Sequence, residues 1–244
     1  MAVEFESDSR DITASGLEQW INDYHLQEKK IEQYSQEIIN HPANLIVIDS
    51  ILKSSVVKNL EGFMKKEALF RRVNRLYSEN DFVSDERWKN ASEEDRFFTY
   101  YAVDGVRSEF KVSPNWLGFL RLNACLREKA WLHFLSNLSG NSIEKYESAQ
   151  LHAHGIGDAT KLHNDAKPGR VLCAVFYFSR NWRPQDDGAL CVIDSNRHTY
   201  RVDVKYNRAI FFDPRKSRHY VQRCSCQIGD RLRYSLVAWF CGRS

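Results

Sequence analysis

The strongest constraint on the fold is the sequence pattern beyond Glu147, where short apolar runs alternate with turns. Turn-forming residues such as Gly155 to Asp158 and Asp213-Pro214 separate the runs. So many short strands at close spacing indicate a sandwich or a small barrel, and a jelly roll is the form that encloses a pocket between its two sheets. The candidate strands are 148–154, 171–179, 189–194, 200–204, 209–212, 219–221 and 233–241.

Helical patterns dominate the first half of the chain. Apolar side chains fall near helical spacing over 14–40, which predicts an amphipathic helix that ends before Pro42. Residues 54–66 and 116–138 also predict helices, the second of them stopped by Gly140. The apolar run NLIVID, just after Pro42, predicts a buried strand.

These patterns predict an α+β protein with a mainly β core, namely a double-stranded β-helix (jelly roll) flanked by N-terminal helices. We expect a helical extension over residues 1–43 and one domain over 44–244. Within that domain, 44–146 would supply helical support and 147–244 the jelly-roll core.

Composition narrows the class of protein. Hydrophobic residues make up 43% of the chain and aromatic residues 13%, enough to form a packed core. The net charge of +3 is too small to argue for a nucleic-acid partner. The six cysteines show no zinc-site spacing, which indicates reduced thiols. The chain starts without a signal-like apolar run and has no membrane-length one, so we expect a soluble, cytoplasmic protein with no membrane contact. The oligomeric state stays open.

A histidine and a carboxylate two residues apart, His163 and Asp165, form the first chemical motif. On a strand, two such side chains point to the same face. His219, from a distant strand, would complete a two-histidine, one-carboxylate triad, which holds Fe(II) and leaves positions open for substrate and oxygen. An H-x-D pair alone also arises by chance, so the metal prediction depends on what accompanies it.

The closing strand, over 233–241, contains the residues that accompany this motif. Arg233, Ser235, Val237 and Trp239 share one face of it, since side chains alternate along a strand. An arginine in an otherwise apolar strand must meet an anion, either an internal carboxylate or a bound one. Ser235 and Tyr177, from the strand over 171–179, could donate to the same anion. Beside the predicted triad, the pattern favours a bound dicarboxylate.

These stretches resemble the prolyl-4-hydroxylase-like branch of the Fe(II)/2-oxoglutarate-dependent dioxygenases. The resemblance covers 147–240 closely, and 44–66 and 116–140 more loosely. The matching stretches are LHNDA, VLCAVFYFSRNW, DGALCVID, AIFFDPRKSRHYV and RLRYSLVAWF.

The resemblance implies a role for each matching residue. His163, Asp165 and His219 would be the iron ligands and catalytic centre. Arg233 would bind the distal carboxylate of 2-oxoglutarate, assisted by Tyr177 and Ser235. The side facing the substrate would carry Arg170 and Trp239. The implied cofactors are Fe(II), 2-oxoglutarate and O₂, with ascorbate in support. The implied reaction hydroxylates an unactivated C–H bond and releases succinate and CO₂.

Other members of the superfamily differ at diagnostic positions. Related halogenases lack the carboxylate that Asp165 supplies, and nucleic-acid demethylases carry a second arginine where this chain has Trp239. A jelly roll that only binds metal would need neither Arg233 nor Tyr177. The tyrosine that relatives place about ten residues before H-x-D is replaced by His152-Ala153-His154, whose histidines we expect outside the ligand set.

The substrate is the least constrained part of the prediction. We expect a free amino acid or a small peptidyl or natural-product intermediate, with a prolyl residue of a protein as the second choice. A basic cluster in sequence around the predicted mouth is either a solvated rim or an attraction for acidic substrates. It comprises Arg180, Arg183, Arg215, Lys216, Arg218 and Arg223.

Overall fold

The computed structural model describes residues 16–226 and 231–242. The described residues do not include 1–15, the part of the predicted N-terminal extension that precedes most of its helix. They also do not include 227–230 and 243–244 of the predicted core.

Twelve strands are described, and every pairing between them is antiparallel. The short, alternating segments predicted after Glu147 are strands, as expected for the sandwich pattern. The strands are β1 (Leu45–Asp49), β2 (Ala68–Leu76), β3 (Phe82–Val83), β4 (Arg96–Val106), β5 (Ile143–His154), β6 (Ala159–His163), β7 (Arg170–Tyr177), β8 (Leu190–Ile193), β9 (Thr199–Val202), β10 (Arg208–Phe212), β11 (Arg218–Val221) and β12 (Arg233–Gly242).

The strands form one continuous ladder that folds over on itself. Its order is β1-β10-β7-β12-β5-β4-β6-β11-β8-β9, and β2 branches from β4 with β3 at its edge. The half around β7, β12 and β5 faces the half formed by β6, β11 and β8 across a cavity, to which both contribute side chains. This confirms the predicted double-stranded β-helix.

Helices cover the outer face of the larger half-sheet. They are α1 (Asp23–Leu26), α2 (Glu28–Asn40), α3 (Ser54–Gly62), α4 (Asp85–Asn90), α5 (Pro114–Cys125) and α6 (Lys129–Ser139), with a π-helical turn over Phe63–Glu67 and 3₁₀ turns over Ser108–Phe110 and Pro184–Asp186. No helix of the described segments is long and apolar enough to cross a membrane.

The main core lies between these helices and the sheet. Trp131 and Leu135 of α6 and Ile38 of α2 are fully or almost fully buried and belong to the same cluster as Phe176 of β7 and Phe211 of β10. Every residue of β7 is buried. A strand that is covered on both faces has apolar residues without alternation, which is why β7 is hydrophobic throughout except for Arg170 at its start.

Three features differ from the sequence expectation. Within the described residues, the predicted helix over 14–40 is a turn followed by two helices, α1 and α2, separated at Gln27. The predicted helix over 116–138 is two helices, α5 and α6, separated at Leu126–Glu128. The segment 44–146, expected to give helical support, also contains the β2–β3–β4 hairpin system. Its strands are rich in charged and aromatic residues, so the apolar alternation that identifies a half-buried strand is weak there.

Gly140 ends α6 in the left-handed conformation, with φ +68°. We expect Gly140→Ala to lower the free energy of unfolding by about 1–2 kcal/mol, because a Cβ is strained in this region. Urea unfolding followed by circular dichroism would measure it. Asn137→Ala, an exposed change in the same helix, is the matched control. Equal midpoints for Gly140→Ala and Asn137→Ala would contradict the role of the backbone conformation.

Candidate active site

Strand pairing brings the three predicted metal ligands together. His163 is the last residue of β6 and lies directly opposite His219 of β11. Asp165 follows two residues later, just beyond the strand rather than on it as predicted. One side-chain atom from each of the three residues lies within 4.8 Å of the other two. The carboxylate oxygens of Asp165 lie 3.6 Å from the Nε2 atoms of His163 and of His219.

The orientation of His163 and the environment of His219 suit a metal. The His163 Nδ1–H donates to the main-chain oxygen of Lys161 at 2.8 Å, because a carbonyl can only accept, and this hydrogen bond fixes the orientation of the ring. Burial, and secondarily the neighbouring His163, lower the pKa of His219 to about 3, so this imidazole is neutral at pH 7. Two imidazoles and a carboxylate are the donor set that divalent iron prefers in oxygenases.

Asp165 is held in place from behind. The Trp239 indole N–H donates to Asp165 Oδ2 at 2.8 Å, and Arg170 Nη1 donates to the Asp165 main-chain oxygen at 2.7 Å. The Arg170 guanidinium also makes two hydrogen bonds with Glu147, at 2.8 and 2.6 Å, and lies 4.9 Å from the centre of the Trp239 ring. These contacts fix the rotamer and the loop position of the carboxylate ligand.

Arg170 therefore has a different place from the one expected. It is only 3% exposed, its charge is matched by Glu147, and it is not among the residues that line the cavity. Its geometry supports positioning of Asp165 rather than the predicted contact with substrate. Trp239, the other residue predicted on the substrate side, does line the cavity while it holds Asp165.

The cavity in front of the triad has a volume of about 470 Å³. That size lies within the range of small-molecule sites, about 300–1,000 Å³. Besides the triad, its wall includes Arg233 and Ser235 of β12. Three β4 side chains, Phe97, Phe98 and Tyr100, also line it. From the sequence, Tyr100 fits either a pocket or a core and sheet face, and Phe97 and Phe98 were not identified as candidates. The available signal was the run FFTYYAV, whose aromatic residues fit a core as well as a pocket.

Arg233 is the second chemical centre of the cavity. Its guanidinium is 2% exposed; Nη2 donates to the Tyr177 hydroxyl at 2.9 Å, and the guanidinium carbon lies 4.7 Å from the centre of that ring. Nη1 lies 3.4 Å from Ser235 Oγ and 3.3 Å from His154 Nδ1, while Nε has no hydrogen-bond partner. No carboxylate among the described residues pairs with Arg233. The structure therefore does not support the alternative in which this arginine forms an internal Arg–Asp pair.

His154 occupies the region where relatives carry a tyrosine. Because arginine can only donate, His154 Nδ1 must accept from Arg233, and the ring proton is then on Nε2. Burial, and secondarily Arg233, hold the pKa of His154 well below its usual value, so the ring is neutral. Its Nε2 is buried and unpartnered within the described chain. His154 and His152 both line the cavity, and neither belongs to the metal triad, as predicted.

The residues present fit the implied cofactors. The triad supplies the ligands for Fe(II), and an orphaned guanidinium flanked by the Tyr177 and Ser235 hydroxyls supplies a site for a carboxylate. A buried cation without an anion is costly, so Arg233 is a strong sign of an anionic ligand.

Three arginines of the basic cluster are paired on the protein itself. Arg180 pairs with Glu61, Arg215 with Asp213, and Arg223 with Glu93. In the pairs of Arg215 and of Arg223, a guanidinium nitrogen lies less than 3 Å from a carboxylate oxygen. These pairs favour the solvated-rim interpretation for this half of the cluster.

The fold and the site together define a metal-dependent oxygenase of the double-stranded β-helix class. Residues 149–241 match the family model described as the 2OG-Fe(II) oxygenase superfamily. This stretch, which holds the metal triad, Tyr177 and Arg233, is similar to that superfamily. No curated protein sequence matches the chain.

Solved structures agree on the fold. A Pseudomonas putida prolyl-4-hydroxylase superposes with TM-score 0.55 and 13% identity, covering 88% of this chain and all of the other. A Burkholderia pseudomallei oxidoreductase of the 2OG-Fe(II) oxygenase family gives 0.62 and 14%, covering 88% of this chain and 92% of that one. A Trichoplax adhaerens prolyl hydroxylase, solved with a hypoxia-inducible-factor peptide fragment, gives 0.58 and 17%, covering 87% and 91%. These structures, two of them prolyl hydroxylases, share the fold that the resemblance implies.

We expect Trp239→Phe to weaken metal binding by about tenfold, because the substitution removes the hydrogen bond to Asp165 while keeping an aromatic side chain. Anaerobic titration with Fe(II) would measure the dissociation constant. Trp88→Phe, which alters an indole on α4 away from the triad, is the control. Indistinguishable metal affinities in the two variants would remove Trp239 from the support of Asp165.

Proposed function

We propose that the protein hydroxylates an unactivated C–H bond of a free amino acid or of a small peptidyl or natural-product intermediate, with release of succinate and CO₂. The observation that carries this proposal is that a buried, carboxylate-free Arg233 and a His-Asp-His triad share one cavity. The site residues support it position by position: His163, Asp165 and His219 for iron, and Arg233, Tyr177 and Ser235 for 2-oxoglutarate.

When bound, Fe(II), 2-oxoglutarate and O₂ supply the oxidising chemistry, in which one oxygen atom enters the substrate C–H bond and the other leaves in succinate. The chain's own residues bind and orient. The two imidazoles and Asp165 would hold the metal, and the forked guanidinium of Arg233 would fix the far carboxylate of the co-substrate. Phe97, whose ring centre lies 5.4 Å from that of His163, helps to keep the metal side of the cavity dry.

A protein prolyl residue is the second candidate substrate. It is supported by the fold shared with the two prolyl hydroxylases, one of which was solved with a peptide. The volume of the cavity, about 470 Å³, supports the smaller substrates. We keep ascorbate as a supporting reductant. The six cysteines are buried and form no disulfide among the described residues, which supports the cytoplasmic location that we predict.

We expect succinate release to require the triad. The purified protein, given Fe(II), 2-oxoglutarate and ascorbate, should release succinate over a panel of free amino acids, N-acylated amino acids and prolyl peptides. Asp165→Ala and His219→Ala should reduce the rate by more than about a hundredfold, since each removes a ligand from a three-ligand site. Turnover that survives either substitution in a folded variant would sink the iron assignment.

Binding of 2-oxoglutarate should depend on Arg233. We expect Arg233→Gln to raise the 2-oxoglutarate dissociation constant by about a hundredfold or more, because a desolvated charge pair is lost. Tyr177→Phe, which removes one hydroxyl and keeps the ring, should have a smaller effect, about tenfold. Anaerobic titration of the Fe(II)-loaded protein, with circular dichroism as a folding check, gives both values. An unchanged affinity in Arg233→Gln would remove the co-substrate assignment.

A further inference from the structure

A second arginine, Arg75, lines the same cavity. It lies on β2 and is half-buried. Unlike the paired arginines of the rim, the Arg75 side chain makes no hydrogen bond or ion pair with any residue of the described segments. A half-desolvated guanidinium that faces a cavity without a partner is, like Arg233, a site for an anion.

The sheet register places Arg75 on the wall of the cavity. It pairs with Phe82 of β3 and with Phe98 of β4, and Phe98 pairs in turn with Thr160 of β6. Directly opposed side chains project from the same face of a sheet, and all four of these residues line the cavity. The position of Arg75 therefore follows from three strand pairings rather than from a single rotamer.

Arg75 and Arg233 line the cavity from two different strands, β2 and β12. In the sheet order, β12 is followed by β5, then β4, then β2, so the two arginines are three strands apart. Three strand spacings correspond to roughly 14 Å between their backbones. The same row of side chains leads from Arg75 through Phe98 to Thr160, three residues before His163. A molecule held at Arg75 can thus extend along Phe98 to the metal while 2-oxoglutarate is held at Arg233.

The charges of the wall define the chemistry of that molecule. Asp165 is the one carboxylate among the described residues that line the cavity, and it is a predicted metal ligand. The third cation of the lining, Lys167, is 3.9 Å from Glu147. A substrate carboxylate would meet Arg75, whereas a free ammonium group would find no unused negative charge.

The aromatic residues beside Arg75 describe the rest of the substrate. The rings of Phe98 and Tyr100 are stacked with centres 5.2 Å apart, and Phe82 meets Phe98 edge-on at 6.4 Å. Aromatic faces of this kind bind apolar carbon skeletons. The part of the substrate between the anion and the metal therefore faces an apolar surface.

We propose that Arg75 binds a carboxylate of the primary substrate, and that this substrate is an apolar carboxylic acid without a free ammonium group, such as an N-acylated amino acid. The inference rests on the proposed function and narrows it, favouring the peptidyl or acylated intermediate over the free amino acid. Arg75 sets specificity at the β2 wall of the cavity and has no part in binding iron or 2-oxoglutarate.

The test measures binding without turnover. The protein is loaded anaerobically with Fe(II) and saturating 2-oxoglutarate, and ligand-observed NMR titrations give dissociation constants for matched pairs. The probes are N-acetyl-L-phenylalanine, N-acetyl-L-leucine and N-acetyl-L-proline, each with its neutral amide and its free amino acid. We expect at least one acid to bind about tenfold more tightly than both its amide and its free amino acid, since a charge-assisted pair at Arg75 is available only to the carboxylate and the ammonium is unmatched.

Variants identify the arginine responsible. Arg75→Gln should reduce the preference for acid over amide to under about twofold, and Arg75→Lys should retain part of it because the charge remains. Arg121→Gln, an exposed arginine on α5, should leave the preference unchanged. The affinity for 2-oxoglutarate should be the same in all four proteins.

Two results would overturn the inference. One is that no acid of the panel binds more tightly than its amide, including the case in which nothing binds; the other is a preference that persists in Arg75→Gln. Either can occur while 2-oxoglutarate still binds through Arg233, and then the proposed reaction stands and only the assignment of Arg75 falls. Loss of 2-oxoglutarate binding in the unmodified protein would instead contradict the proposed function.

Discussion

The buried positive charge of Arg233 is the constraint on which the rest of the site depends. The central position of β12, between β5 and β7, places Ser235 opposite Tyr177 and Arg233 opposite His154. Each of these neighbours is neutral, so the guanidinium receives partial solvation but no counter-charge. A nearby aspartate would form an ion pair with Arg233, which would leave its charge neutralised and no longer available to a ligand. The protein instead keeps a desolvated cation available, which suits the binding of a dianionic co-substrate.

The metal ligands depend on a different part of the same sheet. His163 and His219 meet because β6 and β11 pair in one register, and a slip by one residue would turn one imidazole away from the cavity. Asp165 has no strand to hold it, since β6 ends at His163. Its position relies on the Trp239 indole and on Arg170, which Glu147 anchors in turn. Two ligands are thus placed by backbone pairing and the third by side chains that converge from β5, β7 and β12.

Local pattern was enough to predict most strands after Glu147 and the stop at Gly140, because each leaves a signal within a few residues; it missed β6, and the ligand set with His219 and the role of Arg233 were predicted with the help of the resemblance. The support of Asp165 could not be predicted in this way. Glu147 and Arg170 are 23 positions apart, and Arg170 and Trp239 meet only through the β7–β12 pairing. Arg170 was expected on the substrate side because the resemblance implies a substrate-side arginine at that position, and its partner Glu147 cannot be recognised from the sequence. The β2–β3–β4 hairpin was predictable only in part, through the β-prone run FFTYYAV of β4. Its strands carry charged and aromatic side chains toward the cavity, so the usual alternation of apolar and polar residues is absent.

The cavity is consequently lined by two parts of the chain, and only one of them lies within the match to the superfamily. The match to the superfamily covers 149–241, which contains the triad, Tyr177, Arg233 and Ser235. It therefore includes the residues proposed to bind iron and 2-oxoglutarate. Arg75, Phe82 and Phe98 belong to the hairpin outside that match, yet they line the same space. A pocket with one cation reserved for the co-substrate and a second on β2 selects for anionic substrates by charge before any finer fit operates. Because β4 pairs with both β5 and β6, the hairpin is joined to both halves of the jelly roll and its arginine is set at a defined distance from the metal ligands. Substitutions within the hairpin can then change which molecule is oxidised while the oxidising centre stays as it is.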